Sequence, residues 1–209
     1  MPLHTDSSRH SVLSRRHVLR LAAVGAAAML PLSALAAPSA APPTEVAAAI
    51  AQARISGSGD FRYFGFLVYH ATLWVGPQGL GTQLGDAPFA LQLRYARSLK
   101  GADIATRSEE EMRKLGEGSP QQRAAWLQAM RQLFPDVQDG DTLTGVFTPA
   151  TGDGQAAQTR FYNNGMLRGT VPGAAFGRAF FSIWLSPQTP APGLRDDLLA
   201  KALSAASLP

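Results

Sequence analysis

Arg62 and Tyr69 are the two side chains in this sequence that are best suited to bind an anion or a carbonyl group. They lie seven residues apart in the stretch 57–75, which reads GSGDFRYFGFLVYHATLWV. A guanidinium pairs with a carboxylate, and a neighbouring phenol adds a donor in an apolar cleft. Inside such an aromatic run Arg62 needs a partner, because an unpaired buried guanidinium is costly. That partner is a ligand, a backbone carbonyl or an acid of the protein such as Glu111.

The same stretch has to position these two side chains. Its aromatic and β-branched residues predict strand that is buried on both faces. In one regular strand, residues seven apart face opposite sides, so Arg62 and Tyr69 share a pocket only if a bulge or a hairpin intervenes. Gly65 lies between them and predicts that break. Gly57 and Gly59 predict a turn ahead of the strand.

Other residues with reactive side chains have simpler structural explanations. His70 is the only histidine beyond residue 36, and no G-x-S-x-G motif accompanies it, so we predict a packed or exposed histidine rather than a catalytic one. The acidic run Glu109, Glu110 and Glu111 follows Ser108 in the pattern of a capping box at a helix start. Without cysteine or a histidine pair, the sequence predicts no metal site, and we expect no cofactor.

Composition narrows the class of protein. The 209 residues are 45% hydrophobic and 16% charged, which is typical of a globular domain. The net charge of +4 is concentrated at the N-terminus, because residues 1–36 contribute +3. The remainder shows no basic patch, so we expect no nucleic-acid partner.

The N-terminal 36 residues have the features of a leader. Residues 14–20 read SRRHVLR, a twin-arginine pattern, and an apolar segment with Gly25 and Pro31 follows. Ala34-Leu35-Ala36 is a cleavage site of the A-x-A type. We predict a twin-arginine signal peptide over 1–36 and a periplasmic protein without a stable membrane anchor after cleavage. Residues 37–54 are predicted to form a linker and a short helix capped by Thr44, and residues 55–209 the folded domain.

Strand and helix patterns follow one another along this domain. Residues 89–99 alternate as a strand, with Arg94 and Arg97 on opposite faces and the Arg97 head in water at the strand end. Residues 142–148 predict a further strand, and Asn164-Gly165 predicts a type I′ hairpin between 160–163 and 166–170.

The helices are indicated by their caps and by apolar periodicity. The expected helices run from Ser108 to near Gly116, from a capping box at Ser119 to just before Pro135, and over 194–203. A further helix presents one apolar face, which we interpret as core rather than as a ligand site, formed by Phe176, Ala179, Phe180, Ile183 and Trp184. Grouped rather than alternating strands and helices predict an α+β fold with an antiparallel sheet.

Three motifs in this order resemble the chalcone isomerase-like superfamily, most closely its bacterial exported branch. They are G-x-G-x-x-R…V-Y-x-A-x-L-W at 57–74, FALQLRYARSLKG at 89–101 and RFYNNGMLRG…FGRAFFSIWLSPQT at 160–189. The resemblance covers residues 55–203. It implies an open-faced β-sandwich, in which helices pack against an antiparallel sheet with a ligand cleft between them.

The resemblance also implies two activities. Plant enzymes of the family cyclise chalcones to flavanones without a cofactor, and plastid relatives bind fatty acids without catalysis. Both have an arginine at the position of Arg62, and the catalytic threonine of the enzymes falls at Tyr69. The tyrosine and asparagine of the enzymes fall near Ile104 and Glu111, so the enzymatic set is incomplete here.

Three functional hypotheses follow. The leading one is a non-catalytic, exported protein that binds a small amphipathic carboxylate, such as a fatty acid, through Arg62 and Tyr69. The second is a cofactor-independent isomerase for a chalcone-like, phenolic enone, with Arg62 stabilising the developing negative charge. The third is an interaction module without a ligand, in which Arg62 is structural.

Overall fold

Six antiparallel strands form one sheet in the computed structural model, which describes residues 41–152 and 154–202. The strands lie side by side in chain order, and each pairs with the next. Their bounds are β1 Arg54–Tyr63, β2 Phe66–Val75, β3 Phe89–Tyr95, β4 Thr142–Thr148, β5 Gln158–Asn163 and β6 Met166–Pro172. The five helices are α1 Thr44–Ala49, α2 Gly101–Lys114, α3 Pro120–Leu133, α4 Ala174–Leu185 and α5 Pro192–Leu199.

The main core lies between one face of the sheet and helices α2 to α5. On β3 the alternation predicted from the sequence is confirmed, because Phe89, Leu91, Leu93 and Tyr95 are all buried on this inner face. They pack in one cluster with buried residues of the helices. The arrangement is the predicted α+β fold with an open antiparallel sheet and a layer of helices.

A smaller cluster covers part of the outer face of the sheet. Val46 and Ile50, from α1 and the residue after it, pack there against Trp74, Ala90 and Val146. The helix begins after Pro43 and ends at Ala49. Pro43 is its N-cap, so the prediction that Thr44 caps the helix is wrong. Short as it is, this helix is held by the sheet rather than by its own cap.

The strand break predicted at Gly65 is confirmed as a tight hairpin. Tyr63 pairs with Phe66 across a two-residue turn, and the register slips between Phe61 and Arg62. The expectation of burial on both faces is wrong at this end of the hairpin. Tyr63, Phe64 and Phe66 are 51%, 83% and 70% exposed, because none of the helices or strands in residues 41–152 and 154–202 covers the turn.

Gly57 and Gly59 lie inside β1 and form no turn, contrary to the prediction. Helix α5 packs so closely here that a Cβ at Gly57 would overlap the backbone carbonyl of Asp197. Ser56, beside them, donates a hydrogen bond to the carbonyl of Leu198 at 2.8 Å. The glycines therefore serve close packing between strand and helix.

Helix α2 starts seven residues earlier than the capping box at Ser108 predicted. Its first amide, on Gly101, is bound by the carboxylate of Asp136 at 3.0 Å. Ser108 lies within the helix and donates to the carbonyl of Ile104 instead. The distant Asp136 replaces the local cap, and such a partner is not visible from local sequence.

The remaining helices are closer to the predictions. The capping box at Ser119 is confirmed, with the side chains of Ser119 and Gln122 each bonding the other residue's backbone. Helix α4 contains the predicted apolar face, and α5 begins at Pro192 and ends at Leu199. None of the helices in the described part of the chain has the length and apolar character to cross a membrane. The predicted signal peptide over 1–36 lies outside the described residues.

Candidate ligand-binding site

A cleft of about 540 Å³ opens between the sheet and the helices, near the turn of the β1–β2 hairpin. This volume is within the range of roughly 300–1,000 Å³ typical of small-molecule sites. Most of the lining is apolar or aromatic: Phe61, Tyr63, Val68, Tyr69, Leu93, Tyr95, Leu99, Ile104, Phe134, Leu143, Phe180, Ile183, Trp184, Pro190 and Ala191. The polar lining is Arg62, Arg97, Asp103, Arg107, Ser108 and Glu111.

The structure brings Arg62 and Tyr69 to the same cleft. Because they are an odd number of residues apart, this requires a hairpin or a bulge between them. Both features are present, and the register slip lies just beside Arg62. The aromatic ring of Phe61 stacks on Tyr69, with centroids 5.0 Å apart. The two strands of the hairpin therefore form one wall of the cleft.

Tyr69 is held by a tryptophan that lies 115 residues away in the sequence. Trp184 on α4 donates its indole N–H to the Tyr69 hydroxyl oxygen at 2.9 Å. Burial raises the pKa of Tyr69, against the lowering effect of this hydrogen bond, and the charge of Glu111 raises it further. Tyr69 is therefore a neutral phenol whose oxygen is already occupied as an acceptor.

The O–H of Tyr69 therefore remains free to donate. No described residue accepts its proton, and no described residue forms a hydrogen bond with the hydroxyl of Tyr95, which lies beside it. Burial also raises the pKa of Tyr95, so this phenol too stays protonated. The cleft thus presents two neutral phenols to whatever occupies it, and an oxygen ligand is the natural partner for both.

Arg62 is not buried, contrary to the prediction, but it has a partner, as predicted. Its side chain is 55% exposed and pairs with Asp60 at 3.0 Å. The second terminal nitrogen makes only a long contact of 3.5 Å with the carbonyl of Gly65. Part of the guanidinium therefore stays available for an anion at the mouth of the cleft.

The acid next to Arg62 is Asp60, and the predicted alternative, Glu111, is bound elsewhere. Glu111 is buried and pairs with Arg107 at 2.7 Å and Lys114 at 2.9 Å. The Asp60 carboxylate also bonds Nδ1 of His70 at 2.9 Å. His70 and Arg62 together hold the pKa of Asp60 below its ordinary value, so Asp60 is ionised at neutral pH.

The other predicted candidates divide between the cleft and the surface. His70 pairs with Arg94 across β2 and β3 on the outer face and does not line the cleft. The carboxylates of Glu109 and Glu110 pair with Arg123 and Arg107, so only Glu111 of the acidic run reaches the cleft. Their interpretation as the first turn of a helix is wrong, because α2 starts at Gly101.

Arg97 lines the cleft, whereas the sequence predicted only that its head would reach water at the end of the strand. It lies just after β3 and lines the cleft, and no described residue forms a hydrogen bond or ion pair with it. Ile104 and Glu111, the positions matched to the tyrosine and asparagine of the enzymes, line the cleft as well. The aromatic face of α4 was predicted as core. It belongs to the core and also lines the cleft, through Phe180, Ile183 and Trp184.

Comparison with known proteins agrees with this architecture. The family model for chalcone isomerase-like proteins matches residues 40–200. The chain belongs to the chalcone isomerase-like family. This chalcone isomerase-like chain is also 29% identical over 151 residues to an uncharacterized protein of Haemophilus influenzae, covering 71% of this chain and 68% of that protein.

A solved structure shows the same fold. It is the crystal structure of a fatty-acid binding protein of Arabidopsis thaliana, with a TM-score of 0.56 and 15% sequence identity. The match covers 73% of this chalcone isomerase-like chain and 89% of the plant protein. At this identity the likeness concerns the fold alone.

The cleft offers donors, cations and apolar surface, and few groups for other chemistry. Among the described residues, no cluster of three or more histidine, aspartate or glutamate side chains has the arrangement of a metal site. The phenols of Tyr69 and Tyr95 are donors at neutral pH, because their pKa values are raised. The arrangement suits the binding of an anionic or carbonyl oxygen at one end of an apolar ligand.

Proposed function

We propose that this protein binds a small amphipathic carboxylate, such as a fatty acid, in the cleft and does not transform it. The observation that carries the proposal is the Tyr69 hydroxyl, which accepts from Trp184 and keeps its own proton free inside an apolar cleft. A carboxylate oxygen is the acceptor that this proton lacks. Arg62 at the mouth of the same cleft supplies the positive charge.

The apolar lining supports the other half of the ligand. Aromatic and aliphatic side chains of the sheet and of α2 and α4 surround the cleft away from the charged rim. Burying an alkyl chain there contributes about 0.8 kcal/mol for each CH₂ group. The structurally similar Arabidopsis protein is a fatty-acid binding protein, which is consistent with this class of ligand.

Export belongs to the same proposal. The SRRHVLR pattern at 14–20, the apolar segment after it and the A-x-A site ending at Ala36 support a twin-arginine signal peptide. We place the mature chain in the periplasm, as a member of an exported branch of the family. Mass spectrometry of the protein recovered from the periplasm should give a mature N-terminus at Ala37.

The direct test is a titration with dodecanoate, with dodecanol as the matched ligand that lacks the carboxylate. Calorimetry should show tighter binding of the acid. Arg62→Ala should weaken dodecanoate binding roughly tenfold and Tyr69→Phe roughly fivefold, because each removes one donor to the carboxylate. Arg62→Ala should leave dodecanol binding nearly unchanged, because the alcohol carries no charge to pair with the guanidinium. Arg94→Ala, on the outer face of the sheet, is the control.

Asp60 distinguishes a binding role for Arg62 from a structural one. Asp60 occupies one side of the guanidinium, so Asp60→Asn should free Arg62 and tighten dodecanoate binding. If Arg62 only stabilises the hairpin, both Arg62→Ala and Asp60→Asn lower stability and neither changes affinity. Turnover of a chalcone that Arg62→Ala abolishes would instead establish an isomerase and overturn the proposal.

A further inference from the structure

The tip of the β1–β2 hairpin carries aromatic rings that are exposed and lie outside the hydrophobic core. Phe64 and Phe66 are 83% and 70% exposed, and Tyr63 beside them is 51% exposed. The rings of Tyr63 and Phe64 meet edge to face at 4.5 Å and form one patch. Exposed aromatic patches of this kind mark contact surfaces rather than elements of the core.

The backbone conformation at Phe64 is unfavourable for the residue that occupies it. Phe64 has φ of +48° and Gly65 has φ of +82°, as in a type I′ turn. Asparagine, aspartate or glycine suits the first of these positions, and a bulky aromatic residue there is unfavourable. Strain of this kind is kept where the side chain has a task outside the fold.

The patch is continuous with the mouth of the cleft. Arg62 and Tyr63 line the cleft, and Phe64 follows them directly in the chain. Arg97, which no described residue pairs, lines the same cleft. Aromatic rings that reach outward beside arginines match the chemistry of a lipid surface, with acyl chains below an anionic headgroup layer.

We propose that the aromatic tip of Tyr63, Phe64 and Phe66 docks on the surface of a lipid bilayer and directs the cleft mouth toward it. A lipid surface fits better than a protein groove, because the rings point outward at a turn and the neighbouring cations stand at the same end. An amphipathic carboxylate would then enter the cleft from the bilayer. That loading role rests on the proposed function, whereas the docking does not.

The test uses the chain recovered after export from a bacterial host, with all variants in the same background. In sedimentation assays, the wild type should bind vesicles of phosphatidylcholine and phosphatidylglycerol more strongly than it binds vesicles of phosphatidylcholine alone. Phe64→Asn places the preferred residue in the turn, so it should fold and yet lose at least about tenfold in vesicle affinity, as expected for losing a buried phenylalanine. The double variant Met166→Ser/Leu167→Ser removes similar apolar exposure from the other hairpin and should bind as the wild type does.

A second readout reports insertion directly. Phe64→Trp should show quenching of its added fluorescence by lipids brominated in the acyl chain, and Phe64→Asn should show no such signal. Equal vesicle binding by wild type and Phe64→Asn would overturn the docking. A wild-type dimer in light scattering that Phe64→Asn converts to monomer would also overturn it, because the tip would then serve self-association.

Dodecanoate separates this inference from the function proposed above. Phe64→Asn should bind dissolved dodecanoate with wild-type affinity but take it up from loaded vesicles more slowly. A wild type that docks on vesicles and binds no dodecanoate would retain the docking and remove the proposed function. A wild type that binds dodecanoate but never sediments with vesicles would do the reverse.

Discussion

Two hairpins in this molecule share one backbone design and differ in what they carry. The β1–β2 hairpin turns at Phe64-Gly65 and the β5–β6 hairpin at Asn164-Gly165, with φ values of +48° and +82° in the first and +49° and +78° in the second. Both register slips fall at the same distance from the turn, after Phe61 and after Phe161. Side chains, rather than backbone, therefore determine their different roles.

The residue pair just before each slip shows how the two hairpins differ at the cleft. In the first hairpin Phe61 pairs with Tyr69, whose ring and hydroxyl line the cleft. In the second, Phe161 pairs with Gly169, and the side chain of Leu133 from α3 occupies the space where a Cβ would lie. Gly169 allows its hairpin to pack directly on α3, whereas the Tyr69 side chain lies between its hairpin and α4 and lines the cleft.

The largest expected effect is on stability, at the place where the first hairpin packs against α5. Gly57→Val should destabilise the protein by about 3 kcal/mol or more, because its side chain would overlap the backbone of α5 and the helix cannot remain in place. Urea unfolding measures the loss. Ser58→Val, one residue along and exposed, should stay near wild type, and an equal loss there would contradict the argument from packing.

Exchanging the turn residues tests the second hairpin next. Asn164→Phe should cost about 2 kcal/mol, because a bulky residue enters the left-handed region and the hydrogen bonds of Asn164 to Thr142 and Asp141 are lost. Asn164→Gly keeps the turn and loses only the hydrogen bonds, so it should cost less than half as much. Similar losses for both variants would show that backbone strain is unimportant here.

Trp184→Phe tests the link between the first hairpin and α4. Loss of the hydrogen bond to Tyr69 should weaken dodecanoate binding roughly fivefold, about 1 kcal/mol, because the Tyr69 hydroxyl is no longer oriented. Trp126→Phe is the matched control, because Trp126 packs on Phe176 and does not line the cleft. It should lower stability and leave the dissociation constant unchanged.

Phe64→Asn is the reverse of the turn exchange and should have a smaller effect of opposite sign. We expect a gain of about 0.5 to 1 kcal/mol in the free energy of unfolding, because asparagine suits the left-handed region and the ring contact that is lost, with Tyr63, is largely exposed. Thermal or urea unfolding would detect it. A loss of stability would mean that the ring of Phe64 packs within the protein.

The smallest expected effect is on the dependence of stability on pH. The pKa of Asp60, beside the first hairpin, is held below its ordinary value by His70 and Arg62, and the pKa of Asp141, beside the second, is lowered by Asn164 and the Gln138 amide. Their stabilisation is present above the ordinary pKa of an aspartate and is lost as the pH falls through the lowered values. In urea midpoints between pH 7 and pH 2, Asp60→Asn and Asp141→Asn should each flatten the decline slightly.

Sequence reasoning succeeded where a local rule decides the structure. Asn164-Gly165 and the capping box at Ser119 were predicted in type and position, since both rest on residues within a few positions of one another. It failed at α2, where Asp136 caps Gly101 from 35 residues away. It also failed for the burial of Arg62, because composition cannot show that a turn extends beyond the core.

The candidate site divides along the same line. The sequence by itself determined that the chain breaks at Gly65, between Arg62 and Tyr69, and it determined the apolar faces that build the sheet and helices. The tertiary structure alone decided that Trp184, 115 residues from Tyr69, orients its hydroxyl, and that Arg97 and Glu111 meet in one cleft. Contacts of that range depend on how whole elements pack, and packing is set by volume and shape across the entire core rather than by neighbours in the chain.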